Sequence, residues 1–188
     1  MNRKYFLLLA AITAISLSAR ADIIPTLSSV TGSSPTFTWN YSANVTVDET
    51  VNTGDFFTIY DFGTIAPGSN TQPTGWTFSQ ALLGPTPALT NPTDNPNILN
   101  LTWTYTGITP IAGSAALGIF SVITSTDQLK VGQITAEATR NSGPNAGTKV
   151  DNIGNVSVPV PEPSVLFPIM SLCAAIGVDR FLRRRKTA

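Results

Sequence analysis

Apolar and polar residues alternate strictly over residues 36–47, "TFTWNYSANVTV". Phe37, Trp39, Tyr41, Ala43, Val45 and Val47 take the odd positions, while Thr, Asn and Ser fill the even ones. Successive side chains of a strand point to opposite faces, so the pattern predicts one face on a core and the other toward water. A helix cannot keep a period of two. Residues 99–106 repeat the pattern, with Leu99, Leu101, Trp103 and Tyr105 on one face and Asn100, Thr102, Thr104 and Thr106 on the other. Shorter runs at 56–62, 76–80, 117–124, 129–139 and 155–160 predict further strands. Within 129–139 the apolar phase moves from odd (Leu129, Val131) to even (Ile134, Ala136, Ala138), and Gly132 at the change suggests a bulge.

Segments rich in Gly, Pro, Asn and Ser separate these runs at 66–75, 84–97 and 140–147. Seven or eight short antiparallel strands joined by polar turns predict an all-β fold, an antiparallel β-sandwich, with a closed barrel as the alternative. No internal repeat is present. The Thr-x-Thr units at Thr36 and Thr102 lie far apart and are not periodic, which makes an ice-binding surface the weaker expectation.

The two ends of the chain differ from its middle. "MNRKYFLLLAAITAISLSARA" opens on Arg3 and Lys4, continues with an apolar run from Tyr5 to Leu17 and closes on Ala19-Arg20-Ala21. A charged start, a short apolar helix and an A-x-A site form a secretory signal over residues 1–21, with cleavage after Ala21. The body is then expected at 22–157 in an oxidising space. Cys173 is the one cysteine of the chain, so no intramolecular disulfide can brace the body.

Net charge is zero overall, but residues 22–160 carry three cations against nine acids. An acidic body argues against nucleic acid, because neutralising phosphates requires clustered Lys and Arg. Five of the remaining eight cations gather at the far end, Arg180 and the cluster Arg183, Arg184, Arg185 and Lys186. An apolar stretch, "VLFPIMSLCAAIGV", precedes them from Val165 to Val178. As a helix it reaches ~21 Å, short of the ~30 Å of bilayer hydrocarbon, and continuing to about Leu182 lengthens it. Apolar residues surround this helix rather than striping it, which favours a membrane span at about 165–182 over a surface helix. The basic cluster would stay on the cytoplasmic side.

Pro161, Glu162 and Pro163 stand just before that stretch. The two prolines fix φ and remove two backbone donors, holding Glu162 on a stiff, extended and accessible segment. Pro-Glu-Pro, a short apolar helix and an Arg-rich terminus, together spanning residues 158–188, resemble the PEP-CTERM sorting signal of exopolysaccharide-producing Gram-negative bacteria, a tail also linked to some ice-binding proteins. The resemblance implies recognition by exosortase, a multi-pass membrane processing enzyme that cleaves near the motif. It implies export through the Sec pathway, anchoring in the inner membrane lipid at least transiently, and then the cell surface or release. Asp179 departs from the family pattern and leaves the helix end open. Nothing upstream of residue 158 takes part in the resemblance.

Catalytic chemistry is thinly supplied. The chain has no histidine, which excludes Ser-His-Asp and Cys-His arrangements and His-ligated metals. Asp48 and Glu49 are neighbours, so on a strand they point to opposite faces. Asp55 and Asp61 read as acids at strand ends. Asp94 and Asn95 offer oxygen ligands without calcium-loop spacing. No cofactor and no metal site is therefore expected. Trp39 and Trp103 fall in the apolar phase and read as core. Trp76, beside Gly75, is the better candidate for an exposed aromatic that contacts a ligand. These features favour an exported noncatalytic surface or matrix protein. The alternatives are a carbohydrate-binding module for the exopolysaccharide and, behind it, a hydrolase using carboxylates alone.

Overall fold

The alternation is realised as strands. A computed structural model describes residues 23–160, and over them the chain is all-β, with ten strands and no helix. The signal helix expected within 1–21 and the membrane helix expected at about 165–182 lie outside the described residues. β1 (Ile23–Ser33), β2 (Thr36–Val45) and β8 (Ala115–Thr124) form one antiparallel sheet in the order β1-β2-β8. The second sheet contains β3 (Glu49–Val51), β4 (Phe56–Ile59), β5 (Trp76–Ala81), β6 (Asn100–Tyr105), β7 (Ile111–Ala112), β9 (Leu129–Arg140) and β10 (Lys149–Pro159). One edge of β9 pairs with β4 and then β3, while its other edge pairs with β10 over the full length of that strand. The sheets face each other across a common core, a sandwich-like arrangement.

Alternate residues supply that core. Trp39, Tyr41, Ala43 and Val45 of β2 are buried against Phe57, Ile59, Leu101, Trp103, Ile134 and Ala136 of the other sheet. Phe57 stacks on Trp103 at 5.2 Å and meets Phe120 of β8 edge-on at 5.0 Å. Such pairs add about 1 kcal/mol each beyond simple burial. Val47 departs from the expected phase, because β2 ends at Val45 and Val47 is exposed in the turn that follows.

No bulge occurs at Gly132. The β9–β10 register runs unbroken from Leu129↔Pro159 to Thr139↔Lys149. Gly132 is the even-phase residue at a crowded point, where an added Cβ would lie 2.8 Å from a Val158 methyl. The core phase of β9 is even throughout, and Leu129 and Val131 simply point outward.

The outer face of the large sheet is not solvated as the sequence pattern predicts. Thr58, Thr102 and Thr135 align across β4, β6 and β9 on that face, yet all three are buried, as is Asn100. The connection 82–99 lies over them as a strap. Its Pro85 carbonyl accepts hydrogen bonds from Thr58 Oγ1 (3.2 Å) and Tyr60 Oη (3.0 Å). Asn100 Nδ2 donates to the Leu82 carbonyl at 3.2 Å and to both Asp94 carboxylate oxygens at 3.0 Å. Further out, the Leu89 amide donates to Asp151 Oδ2 on β10 (3.0 Å).

Candidate functional site

The sorting motif Pro161-Glu162-Pro163, the basic cluster Arg183–Lys186 and the cleavage residues Ala19 and Ala21 all lie outside the described residues. The structure does describe how the body leads up to the motif. β10 stays paired with β9 through Pro159, and the Val160 amide donates to the Gln128 carbonyl at 2.8 Å. Two core aromatics clamp this exit from the opposite sheet. Tyr41 Oη donates to the Ser157 carbonyl (2.8 Å), and Trp39 Nε1 donates to the Thr126 carbonyl (3.0 Å). The chain is thus held rigidly to within one residue of Pro161.

Trp76 corrects the sequence expectation. It is only 4% exposed and packs on Phe57, Tyr105 and Phe120, with the Phe120 ring edge-on at 5.1 Å. Gly75 takes φ +85 and turns the strand so that Trp76 faces inward, a backbone region glycine enters at little cost. Trp76 therefore presents no ring to a ligand.

Asp55, which stands at the start of β4 as expected, and Glu49 of β3 are both fully buried. Asp55 accepts hydrogen bonds from the Asn52 amide (2.7 Å) and Thr139 Oγ1 (3.1 Å), and it pairs with Lys149 Nζ. Lys149 also reaches Glu137 Oε1 at 3.3 Å, and its pKa is raised: burial lowers it, but the hydrogen bond and charge of Asp55, joined by Glu137, outweigh that. Glu49 is the contrary case. It is fully buried, and neither carboxyl oxygen has a hydrogen-bond partner. Burial pushes it up from 4.5 to about 7; the Arg140 charge works the other way, while Asp48 and Asp55 add to the rise. Its position follows from Val51, two residues on, which takes the same face of β3 into the core. That period-two link to an apolar residue is the signal in the sequence that could have placed Glu49 inside.

With no accessible surface, neither Asp55 nor Glu49 can touch a substrate in this conformation. Asp94 is engaged with Asn100, and the Asn95 amide donates to Asp61 Oδ1 at 2.9 Å, so these residues brace the strap. Among the described residues no group of three or more acidic or cysteine side chains is placed to hold a metal ion, and no helix is long and apolar enough to cross a membrane. A groove of about 350 Å³ runs along Pro35, Thr36, Ile65, Ala66, Ile123 and Thr124 and has no ionisable lining residue.

The outer face of the β1-β2-β8 sheet carries no charged side chain. Thr26 and Ser42 join through their hydroxyls at 3.0 Å. Asn40 donates to Ser29 Oγ (3.1 Å) and accepts from Ser121 Oγ (2.6 Å). Neither the models of known protein families nor the curated proteins contain a match to this chain.

Proposed function

We propose that the protein is an exported, noncatalytic cell-surface or extracellular-matrix protein, delivered as a β-sandwich body by a disposable PEP-CTERM-like tail. One observation carries the reading: Pro161-Glu162-Pro163, an apolar stretch and Arg183–Lys186 follow one another in that order. They begin two residues after Pro159, the last paired strand residue. The rigid exit supports it, because a processing enzyme such as exosortase then meets the motif as the first extended segment beyond the sheet. The noncatalytic part is supported by the lack of histidine and by the burial of Asp55 and Glu49. In this reading the signal occupies 1–21, the body 22–157 and the tail 158–188, whose first residues Val158 and Pro159 complete β10 of the body, with the helix at about 165–182 holding the body at the inner membrane until release.

Replacing Pro161, Glu162 and Pro163 with alanine together tests the reading. Altered cellular destination and a heavier final product are expected. An unchanged destination and mass would show that the motif is not read.

A second reading, binding of the exopolysaccharide, is favoured by the uncharged Ser, Thr and Asn face of the β1-β2-β8 sheet, whose hydroxyl and amide groups suit a neutral glycan. Pull-down of the intact chain with the host polysaccharide, weakened by Asn40→Ala, is the expected result. Undiminished capture by the variant would remove that face as the site.

A further inference from the structure

Along the outer face of β9 the residues run Leu129, Val131, Gln133, Thr135, Glu137, Thr139. The last four are engaged: the strap reaches Gln133 through Thr93, Thr135 meets Tyr60 Oη at 3.0 Å, and Lys149 and Asp55 hold Glu137 and Thr139. The first two are apolar and 57% and 73% exposed. Val160, 40% exposed, leaves the same end of the strand pair in the opposite phase, its amide bonded to Gln128. β4 ends at Ile59, opposite Ile134, and only the Tyr60 amide continues the pairing, to Gln133. Residues 129–132 therefore run ~13 Å past the last β4 pair with only β10 beside them, while their partners Val156 and Val158 stay buried against the opposite sheet.

We propose that the exposed apolar residues at this end of β9 and β10, Leu129, Val131 and Val160, form a foot that rests in the headgroup layer of the lipid bilayer. The proposal rests on the anchoring reading above. Chain length argues for the membrane as occupant. Five residue steps separate Val160 from Val165, where the apolar stretch starts, and they span at most ~18 Å. Each headgroup layer is ~6 Å deep, so an anchored tail keeps the foot at or near the surface. Charge placement agrees. Asp48, Glu49, Asp55, Glu137 and Asp151 lie toward the other end of β9 and β10. Glu137 itself is ~26 Å along β9 from Leu129, well beyond a screening length of ~10 Å. Five acids thus stand away from the lipid, Asp61 and Asp94 are taken up in strap contacts, and Asp127, two residues before Leu129, is offset by the nearby charge of Lys130. The apolar phase change at the start of β9 then has a cause: these positions face lipid rather than water.

Fluorophore quenching in phosphatidylcholine nanodiscs tests this with the full chain, with nitroxide on the lipid headgroup for labels on the body and deep in the acyl chain for the label on the tail. One label goes on native Cys173. The others go, in a Cys173→Ser background, on Val131→Cys and on Val47→Cys. Val47 lies at the opposite end, its carbonyl bonded by Asn141 just past the last residue of β9. Several-fold quenching at 173 and 131, with none at 47, is expected. Quenching at 173 with 131 as dark to the lipid as 47 overturns the foot and leaves the anchor standing. An unquenched Cys173 overturns both.

Discussion

Glu49 is the residue whose environment is most at odds with its charge. The unfolded chain releases this proton near 4.5, whereas the folded protein keeps it until about 7. Between those values the unfolded state binds fewer protons, so stability falls as pH rises and then levels off above 7. At 1.4 kcal/mol per pKa unit the loss is about 3 kcal/mol. Glu49→Gln is expected to match the wild type near pH 5 and to exceed it by about 2–3 kcal/mol near pH 8 in urea melts. A wild type that gains on the variant between those pH values would contradict the burial account. Lys149 gives the opposite kind of residue. Lys149→Met strands the Asp55 carboxylate on two neutral donors, and a loss of about 3 kcal/mol at pH 7 is expected from thermal or urea unfolding. An unchanged midpoint would show that the pair is not formed in solution. Neither role could be read from the sequence, because each depends on which strand covers the acid. Trp76 was misjudged for the same reason: its neighbour Gly75 marks a turn, but the direction of that turn is set by the packing of β5 on β6.

At the level of elements, period-two alternation made β2 and β6 plain, since each buries one complete phase. β1 escaped because its own phase slips. Ile23, Pro25 and Leu27 pair with odd residues of β2, and a shift between Leu27 and Ser29 then brings Val30 opposite Trp39. β3 and β7 span three and two residues, too short to show any period. The strap is the element least visible in sequence. Its Pro, Thr and Asn residues describe a loop, but not one that buries a row of threonines. Asn100 joins strap to sheet, also accepting from the Asp61 amide at 2.8 Å. Asn100→Ala leaves those buried partners unsatisfied and is expected to cost about 2–3 kcal/mol. Hydrogen exchange should rise over 85–95 more than over β2, whereas uniform acceleration would mean that the strap has no separate opening.

For the whole molecule, the account joins a rigid sheet body to a tail that directs where the body goes. The body needs no disulfide: two sheets share one aromatic core, Tyr41 locks the last strand to it, and Trp39 locks the connection between β8 and β9. The hydrogen bonding that holds the chain continues up to Val160, one residue before the Pro-Glu-Pro segment begins. The proposed tail rests on sequence alone because its parts are compositional, whereas the body's surface chemistry became legible only in three dimensions. Intact mass of the mature protein from membrane and medium fractions tests the central claim most directly. The account predicts a released form lacking both ends, cut near Ala21 and near Pro163. A released form that still carries Arg183 to Lys186 would contradict it.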